Sequence, residues 1–388
     1  NRTNILLLGQ GDETGQDLTD TIMIASIVDD SVALLSLPRD LYFLHTDFAM
    51  QTDKGKLNAL WRDNKLKLMK QGIQENEAKK EALRQLSDEI GNAFGIDMHH
   101  QILIDFEAFE KAVDAIGGID IDVPETIHDT EFPGPNYTYQ TFHIDAGKQH
   151  LDGATALKYA RTRSTTSDFG RSARQQQIIQ AVLGQARQSG IIKKPSKLLE
   201  LYSILAEHIV TDLSTRQLVT LATMGKRIDH QNVTALQLNN VNGLYGEPQW
   251  KAGLLYAPPR ELFNGDSVLL PVSIPEFPVT WKQIQLLSTL FFAHRDLYIH
   301  PPQFAILNGG APEGSARRMS RELTKFGFDV VNVTNVPGNP RDIETSYMSI
   351  NPATQRGAGG DEESGRAIPF LSDFLLLPLQ ELPSEFEQ

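Results

Sequence analysis

Cysteine is missing altogether from the 388 residues, which excludes structural disulfides, thiolate metal sites and cysteine nucleophiles in one step. Long apolar runs are missing too. Nothing approaches the ~18–20 consecutive apolar residues that span a bilayer, and stretches such as Phe374 to Leu377 are far too short, so the chain as it stands is expected to be soluble. It begins Asn1-Arg2-Thr3 and enters an apolar strand at once, as expected of a chain trimmed of a leader or membrane anchor. An excess of positive charge is also lacking. Lys and Arg number 36 against 49 Asp and Glu, a net charge of −13 with a pI near 5.3, which argues against a general nucleic-acid binder. Any anion must therefore be held by a local cluster of cations. The ten histidines show no His-Glu-x-x-His spacing, and His99 and His100 would point apart on a strand, so no zinc site is expected from their spacing. No G-x-S-x-G elbow supports a serine hydrolase. The stretch NGGAPEG (308–314) precedes a helix but lacks the Lys-Ser/Thr ending of a phosphate loop and the third glycine of a dinucleotide motif.

What is present suits an ordinary globular protein. Hydrophobic residues make up 40% and charged residues 22%, enough for a sizeable core, and the length suggests two or three folding units. Residues 4–8 (NILLL) read as a strand buried on both faces, ended by Gly9-Gln10-Gly11. Two further strands, 21–28 and 31–38, flank Asp29-Asp30, which suits a tight antiparallel turn. Residues 62–90 have a helix-favouring composition with a charged face. Between 101 and 124 the period switches. Phe106, Phe109, Val113 and Ile116 share one helical face, with Asp105 as N-cap and Gly117-Gly118 as stop; Ile119, Ile121 and Val123 then alternate as a half-buried strand. Residues 125–150 look like a surface excursion rich in turn formers and aromatics.

Helical patterns follow at 151–163, at roughly 169–188 with Ile178, Ile179, Val182 and Leu183 as the buried face, and across 196–228. Residues 232–272 read as short strands and turns, and one more helix runs from about Trp281 to Phe292. Pro301-Pro302 marks the expected domain boundary. Beyond it, strand, helix and strand form a small α/β unit, with Ala316, Met319, Leu323 and Phe326 on one helical face and Gly327 as stop. Residues 351–367 are Gly-rich and charged, as in a mobile loop or tail.

Two clusters could carry chemistry. Arg161, Arg163, Arg171 and Arg174 fall within fourteen residues of a net-negative chain, with Gln175 one helical turn after Arg171. Cations at a helix N-terminus, where backbone N–H groups already favour anions, suit a phosphate or pyrophosphate. Surface salt bridging is the plainer reading; the small polar residues between the arginines favour anion binding. The second cluster is Asp12, Asp17 and Asp20 at strand ends, where carboxylates could hold a hard cation such as magnesium or could simply be solvated loop acids. Arg39, just past a strand, could join either.

NILLLG, LTDTIMIASI, LLSLPRD, KLNA (56–59), DFEAFEKAVDAIGGIDIDVP, LDGATALKYARTR and DFGRSARQQQ occur here in the order, and near the spacing, of the LytR-CpsA-Psr family, which the chain resembles over about its first 300 residues. Residues 303–348 look like the LytR C-terminal domain that some members carry. The resemblance implies an α/β/α sandwich around a central mixed sheet, with a catalytic domain at 1–300 and a small α/β domain at 301–388. It also implies an extracytoplasmic enzyme, at the outer face of the cell membrane or in the cell wall, anchored by an N-terminal membrane helix. Such an enzyme moves a glycopolymer from a polyprenyl-pyrophosphate carrier to peptidoglycan through a phosphodiester; nucleic acid is not among the implied partners.

The family's pyrophosphate-binding residues fall on Arg39, Arg161, Arg163, Arg171 and, by position, Arg174 and Gln175. Of these, Arg39, Arg161 and Arg163 join Asp20 as catalytic residues, and Asp20 with Asp12 is expected to bind Mg2+ or Mn2+. A loop carboxylate, Asp12 or Asp168, could take the proton of the attacking sugar hydroxyl. Two positions depart from the family pattern: Gly11 stands where an Asp is common, and Leu18 precedes Thr19-Asp20-Thr21 where an Arg is common. The competing activities are a polyprenyl-pyrophosphate hydrolase and a non-catalytic lipid-phosphate or wall-binding protein.

Overall fold

A computed structural model describes residues 2–11, 17–43, 55–134, 138–162, 168–190, 195–225, 228, 232–239, 253–272, 280–299, 302–336 and 348–349. Two compact units divide the chain: 1–240 with 255–285, and 241–254 with 286–388. The Gly-rich segment 351–367 lies outside the described residues.

The first unit is built on a six-stranded mixed sheet. Its first three strands are β1 (Arg2–Gln10), β2 (Thr19–Val28) and β3 (Ser31–Ser36), joined as an antiparallel meander. The β2–β3 turn is the expected Asp29-Asp30, with Asp29 in the left-handed region at φ 51°, a conformation that Asp tolerates better than most residues. Two-residue strands β4 (Tyr42–Phe43) and β5 (Gly55–Lys56) lead into α1 (Leu57–Lys70) and α2 (Glu75–Phe94). The helix-favouring stretch 62–90 is thus two helices, broken where Gln71, Gly72 and Ile73 turn back onto the carbonyls of Lys67, Leu68 and Met69. Strand β6 (His100–Ile104) lies parallel to β1.

Helix α3 (Phe106–Ala115) starts where Asp105 accepts a hydrogen bond from the Ala108 N–H at 2.8 Å, and capping of this kind stabilises a helix by about 1 kcal/mol. It stops at Gly117 and Gly118, both at positive φ (88° and 82°). Their N–H groups bond back to the carbonyls of Asp114 and Val113, a left-handed ending that glycine adopts without steric cost. Next come β7 (Ile119–Val123), β8 (Ile127–Pro133), β9 (Tyr139–Ile144) and β10 (Gly147–Leu151). The stretch read as a surface excursion is therefore ordered sheet: β8 pairs with β9, and β10 with β7. Its two described phenylalanines are inward-facing: Phe132 and Phe142 join Ile127, Ile144 and Tyr159 in one buried cluster, while Tyr139 is 73% exposed. The Gly-Pro-Asn turn composition at its tip conceals two short alternating runs.

Helices α4 (Gly153–Arg161), α5 (Asp168–Gln188) and α6 (Pro195–Leu205) follow. A three-residue strand β11 (Ile209–Thr211), invisible within the helical reading of 196–228, pairs with β6 ahead of α7 (Thr215–Gly225). Strand β12 (Val233–Gln237) closes the sheet beside β3, giving the order β11-β6-β1-β2-β3-β12. The short pair β13 (Leu255–Tyr256) and β14 (Leu270–Pro271) completes the described strands of this unit. The pleat divides the sheet into two faces. Leu6, Leu8, Ile22, Ile24, Ala33 and Leu35 are at most 2% exposed, and each large one contributes about 1.5–3 kcal/mol by burial. On the other face Leu7, Ala25, Val32 and Leu34 meet Ile179 of α5. This is the expected α/β/α arrangement around a mixed sheet.

In the C-terminal region, α8 (Lys282–Ala293) and α9 (Asp296–Ile299) precede the parallel pair β15 (Gln303–Asn308) and β16 (Asp329–Asn335), linked by α10 (Ser315–Lys325). Phe328 stacks on Tyr298 and meets Phe304 edge-on. Burial pushes the Tyr298 phenol well above its usual pKa, while its hydroxyl donates to the Phe326 carbonyl at 2.9 Å. No described helix is long and apolar enough to cross a membrane.

Candidate functional site

The face of the sheet that meets α5 is hollow at one end. A cavity of about 770 Å³ opens there between β1, β2, β6, α3, α4 and α5. Its floor is a grid fixed by strand register. Met23, Leu7 and Ile102 stand side by side in one row, and Thr21, Gly9 and Ile104 in the next. Phe109, Leu157 and Ile178 wall the apolar end. Gly9 deepens the floor, because a Cβ there would lie 3.1 Å from the Thr21 Cβ, closer than ordinary van der Waals contact.

The lining turns polar beyond Gly9. Gln10, Gly11, Asp20, Asp105, Arg161 and Gln175 all line this part. Arg161 ends α4, and its guanidinium lies over the rings of Phe106 at 4.3 Å and Phe132 at 5.4 Å. Two aromatic faces orient a cation and favour it electrostatically. Arg39 donates to Asp20 at 3.2 Å. Its motif is tied to the KLNA motif through the backbone: Asn58 N–H donates to the Arg39 carbonyl at 3.1 Å, and Leu57 N–H to Leu41 at 2.8 Å. Buried Asn58 in turn accepts from the Thr19 hydroxyl at 3.2 Å. LPRD, KLNA and LTDT therefore hold one another, and Asp20 projects from their junction.

The sequence-predicted residues separate into three groups. Asp20, Arg39, Arg161 and Gln175 come together at or beside the polar end. Asp12 and Arg163 lie outside the described residues, as do the side chains of Asp168 and Arg171. Arg174 is placed elsewhere: 7% exposed, it donates from Nε to the Tyr159 carbonyl at 3.1 Å and from Nη2 to the Thr162 carbonyl. Its guanidinium caps the last carbonyls of α4, and burial lowers its pKa from the usual arginine value. It does not line the cavity.

Asp17, the third acid of the N-terminal cluster, sits at φ 53°. It accepts from Gln10 Nε2 at 2.7 Å and from Lys65 Nζ. The side chain of Lys65 is 7% exposed and sits 5.0 Å from the Trp61 ring, so Asp17 is the counter-ion of a buried ammonium. Sequence reading missed Lys65 because it hides in the charged composition of α1. It also missed that Pro133, Gly134, Thr138 and Tyr139, at the β8–β9 tip, form part of the cavity wall.

The donor set decides whether a divalent ion fits. Among the described residues no group of three histidines or acids could hold one. Asp105 is committed, one oxygen to its helix cap and the other to His208 Nδ1 at 2.7 Å. Asp20 remains as a carboxylate on the cavity wall. Magnesium commonly takes one or two carboxylates plus substrate phosphates, so the residues present fit it only together with a phosphorylated ligand.

Nearby, Glu110 on α3 is pushed above the usual carboxylate pKa, first by burial and then by Asp114, against an opposing pull from Arg161.

A sequence profile of the LytR_cpsA_psr family matches residues 1–257, and one described as LytR cell envelope-related transcriptional attenuator matches residues 303–369. The chain is 28% identical over 256 residues to the cell wall biosynthesis protein LcpA of Corynebacterium glutamicum, covering 63% of this chain and 48% of LcpA. It is 30% identical over 254 residues to the polyisoprenyl-teichoic acid–peptidoglycan teichoic acid transferase TagU of Oceanobacillus iheyensis, covering 62% and 69%. The chain thus spans about half the length of LcpA. The crystal structure of Bacillus subtilis TagV shares the fold, with a TM-score of 0.52 at 19% identity over 76% of this chain and 98% of TagV.

Proposed function

The chain belongs to the LytR-CpsA-Psr family, and on that premise we propose that it transfers a glycopolymer from a polyprenyl-pyrophosphate carrier to peptidoglycan, outside the cytoplasmic membrane. The observation that carries this reading is the two-ended cavity, apolar over Leu7, Met23, Ile102, Phe109 and Ile178 and polar at Asp20, Arg161 and Gln175. A ligand with a hydrocarbon tail and an anionic head matches such a surface; an all-polar nucleotide or free sugar does not. TagU, by its name, acts on polyisoprenyl-linked teichoic acid and peptidoglycan.

In this reading the polyprenyl tail lies on the sheet floor, and Arg161, braced on Phe106 and Phe132, takes a pyrophosphate oxygen. Arg163 and Arg171 complete the cation set. A peptidoglycan hydroxyl attacks the phosphorus that bears the glycan, forming the new P–O bond as the bond to polyprenyl phosphate breaks. Asp12 or Asp168 accepts the hydroxyl proton. Positioning and charge stabilisation carry most of such a transfer. Asp20 would hold a magnesium ion, whose contribution is neutralisation of phosphate oxygens. Arg39 orients Asp20 through their ion pair. Arg174 is assigned a different role, locking the end of α4 from which Arg161 projects.

The test is transfer of labelled glycan from a polyprenyl-pyrophosphate donor to peptidoglycan fragments, with the Arg161→Ala variant as comparison. Transfer by the unaltered chain and loss in the variant support the proposal. Release of phosphate with no glycan on peptidoglycan would mark a hydrolase, and lipid binding without turnover a binding protein.

A further inference from the structure

His128 on β8 and His143 on β9 are direct cross-strand partners. Their Nδ1 atoms face each other at 3.4 Å, with the rings 68° apart. Both residues are exposed, and the His143 side chain is 50% accessible. On the far side of its ring, His143 Nε2 meets Asp145 Oδ1 at 3.1 Å. A carboxylate there accepts a hydrogen bond from Nε2–H, which fixes that tautomer and leaves the Nδ1 lone pair turned toward His128. The same carboxylate–imidazole pairing orients histidines that bind metals.

We propose that His128 and His143 form a zinc site on the β8–β9 hairpin. The 3.4 Å separation carries the choice of metal. An ion about 2.0–2.1 Å from each nitrogen would subtend an angle of about 110°, close to the tetrahedral angle that zinc adopts. A right-angled seat for square-planar copper or nickel would need the nitrogens about 2.9 Å apart. Among the described residues no third histidine or acid joins the pair, so water fills the other positions. On binding, the proton held between the two Nδ1 atoms leaves; His128 takes up the Nε2–H tautomer or releases a proton to solvent. Zinc then bridges two strands whose other end supplies Pro133 and Tyr139 to the cavity wall. The fifteen-residue spacing hides the site from any local motif, because register alone brings the two rings together.

Calorimetric titration of the full chain with zinc chloride, in a buffer that does not chelate, tests the site. One equivalent is expected to bind. His128→Ala and His143→Ala should each abolish that event, and Asp145→Ala should weaken it about ten- to a hundredfold. His150→Ala, which removes a ring paired with Asp120 at 2.7 Å, should leave it intact. All four substituted positions are exposed, and circular dichroism of each metal-free variant checks that it folds. Absence of zinc binding by the unaltered chain, or undiminished binding by the His128→Ala/His143→Ala double variant, overturns the proposal. Cobalt(II) supplies a second readout: intense tetrahedral absorption supports the geometry, and a weak octahedral spectrum overturns it.

Discussion

The guanidinium carbon of Arg161 lies 4.3 Å from the centre of the Phe106 ring. The two residues come from different helices, Phe106 from the first turn of α3 and Arg161 from the last turn of α4. Removing the ring while keeping the bulk, as in Phe106→Leu, should forfeit about 0.5–2 kcal/mol of cation–π interaction. The expected result is a KM for the pyrophosphate donor raised about two- to thirtyfold, with the fold intact by circular dichroism. A KM equal to that of the unaltered chain would show that the stack does not position Arg161.

Gly9 sets the depth of the cavity between Leu7 and Gly11. Gly9→Val should fill the floor where Thr21 already stands close, and crowding of this kind costs about 1–3 kcal/mol of stability. Fluorescent polyprenyl-phosphate binding should fall at least tenfold while the protein remains folded. Unchanged lipid affinity would place the tail elsewhere.

Gly11 stands beside Asp20: a Cβ at Gly11 would come 3.0 Å from the Asp20 Cβ and 3.3 Å from its Oδ2. Gly11→Asp therefore sets a second carboxylate against the first after a small side-chain adjustment. Divalent ions gain affinity as ligand charges are added. The magnesium concentration for half-maximal transfer should drop in this variant, and Asp20→Asn should abolish the magnesium response. Equal magnesium dependence in all three proteins would remove Asp20 from the metal assignment.

Arg174→Ala should act on stability. It strips hydrogen bonds from the carbonyls of Tyr159 and Thr162 in a buried setting, at a cost of about 1–3 kcal/mol for each group left unsatisfied. Urea unfolding should show a lowered midpoint with an unchanged slope. A variant of normal stability and raised donor KM would instead make Arg174 a phosphate ligand.

Glu110 predicts a pH signature. Burial raises its folded-state pKa above the unfolded value, so the folded form holds the proton more tightly. Below the ordinary carboxylate range the group is protonated in both states and has no effect. As pH rises through that range and past the raised value, the unfolded state ionises first and stability is lost. Glu110→Gln should therefore melt higher than the unaltered chain at neutral pH, and the two should converge in acid. A constant difference across pH would assign the effect to packing.

Local signals carried much of this architecture. The Asp105 cap follows from a side-chain acceptor beside free helix N–H groups, the Gly117-Gly118 stop and the Asp29-Asp30 turn from tolerance of positive φ, and each stands where the chain pattern puts it. The arginines stand out in the sequence, but the different settings of Arg161 and Arg174 do not. Arg161 and Arg174 look alike in sequence; only the path of α5 past the end of α4 turns one toward a cavity and the other onto backbone carbonyls. The β8–β9 hairpin was obscured for a different reason. Its aromatics read as surface features beside Gly and Pro, whereas Phe132 and Phe142 are core because their partner strands bring a hydrophobic cluster over them. Lys65 shows the same limit: composition cannot single out which lysine of a charged helix is buried.

The alternation of β1 and β2 has an evolutionary corollary. Leu6 and Ile24 face a solid core, while their immediate neighbours Leu7 and Met23 face the cavity. Substitutions at the second set can lengthen or shorten the slot without loosening the first. Under the proposed function, with the polyprenyl tail on this floor, the sheet acts as a ruler whose gradations can be redrawn from one side to suit carriers of different chain length.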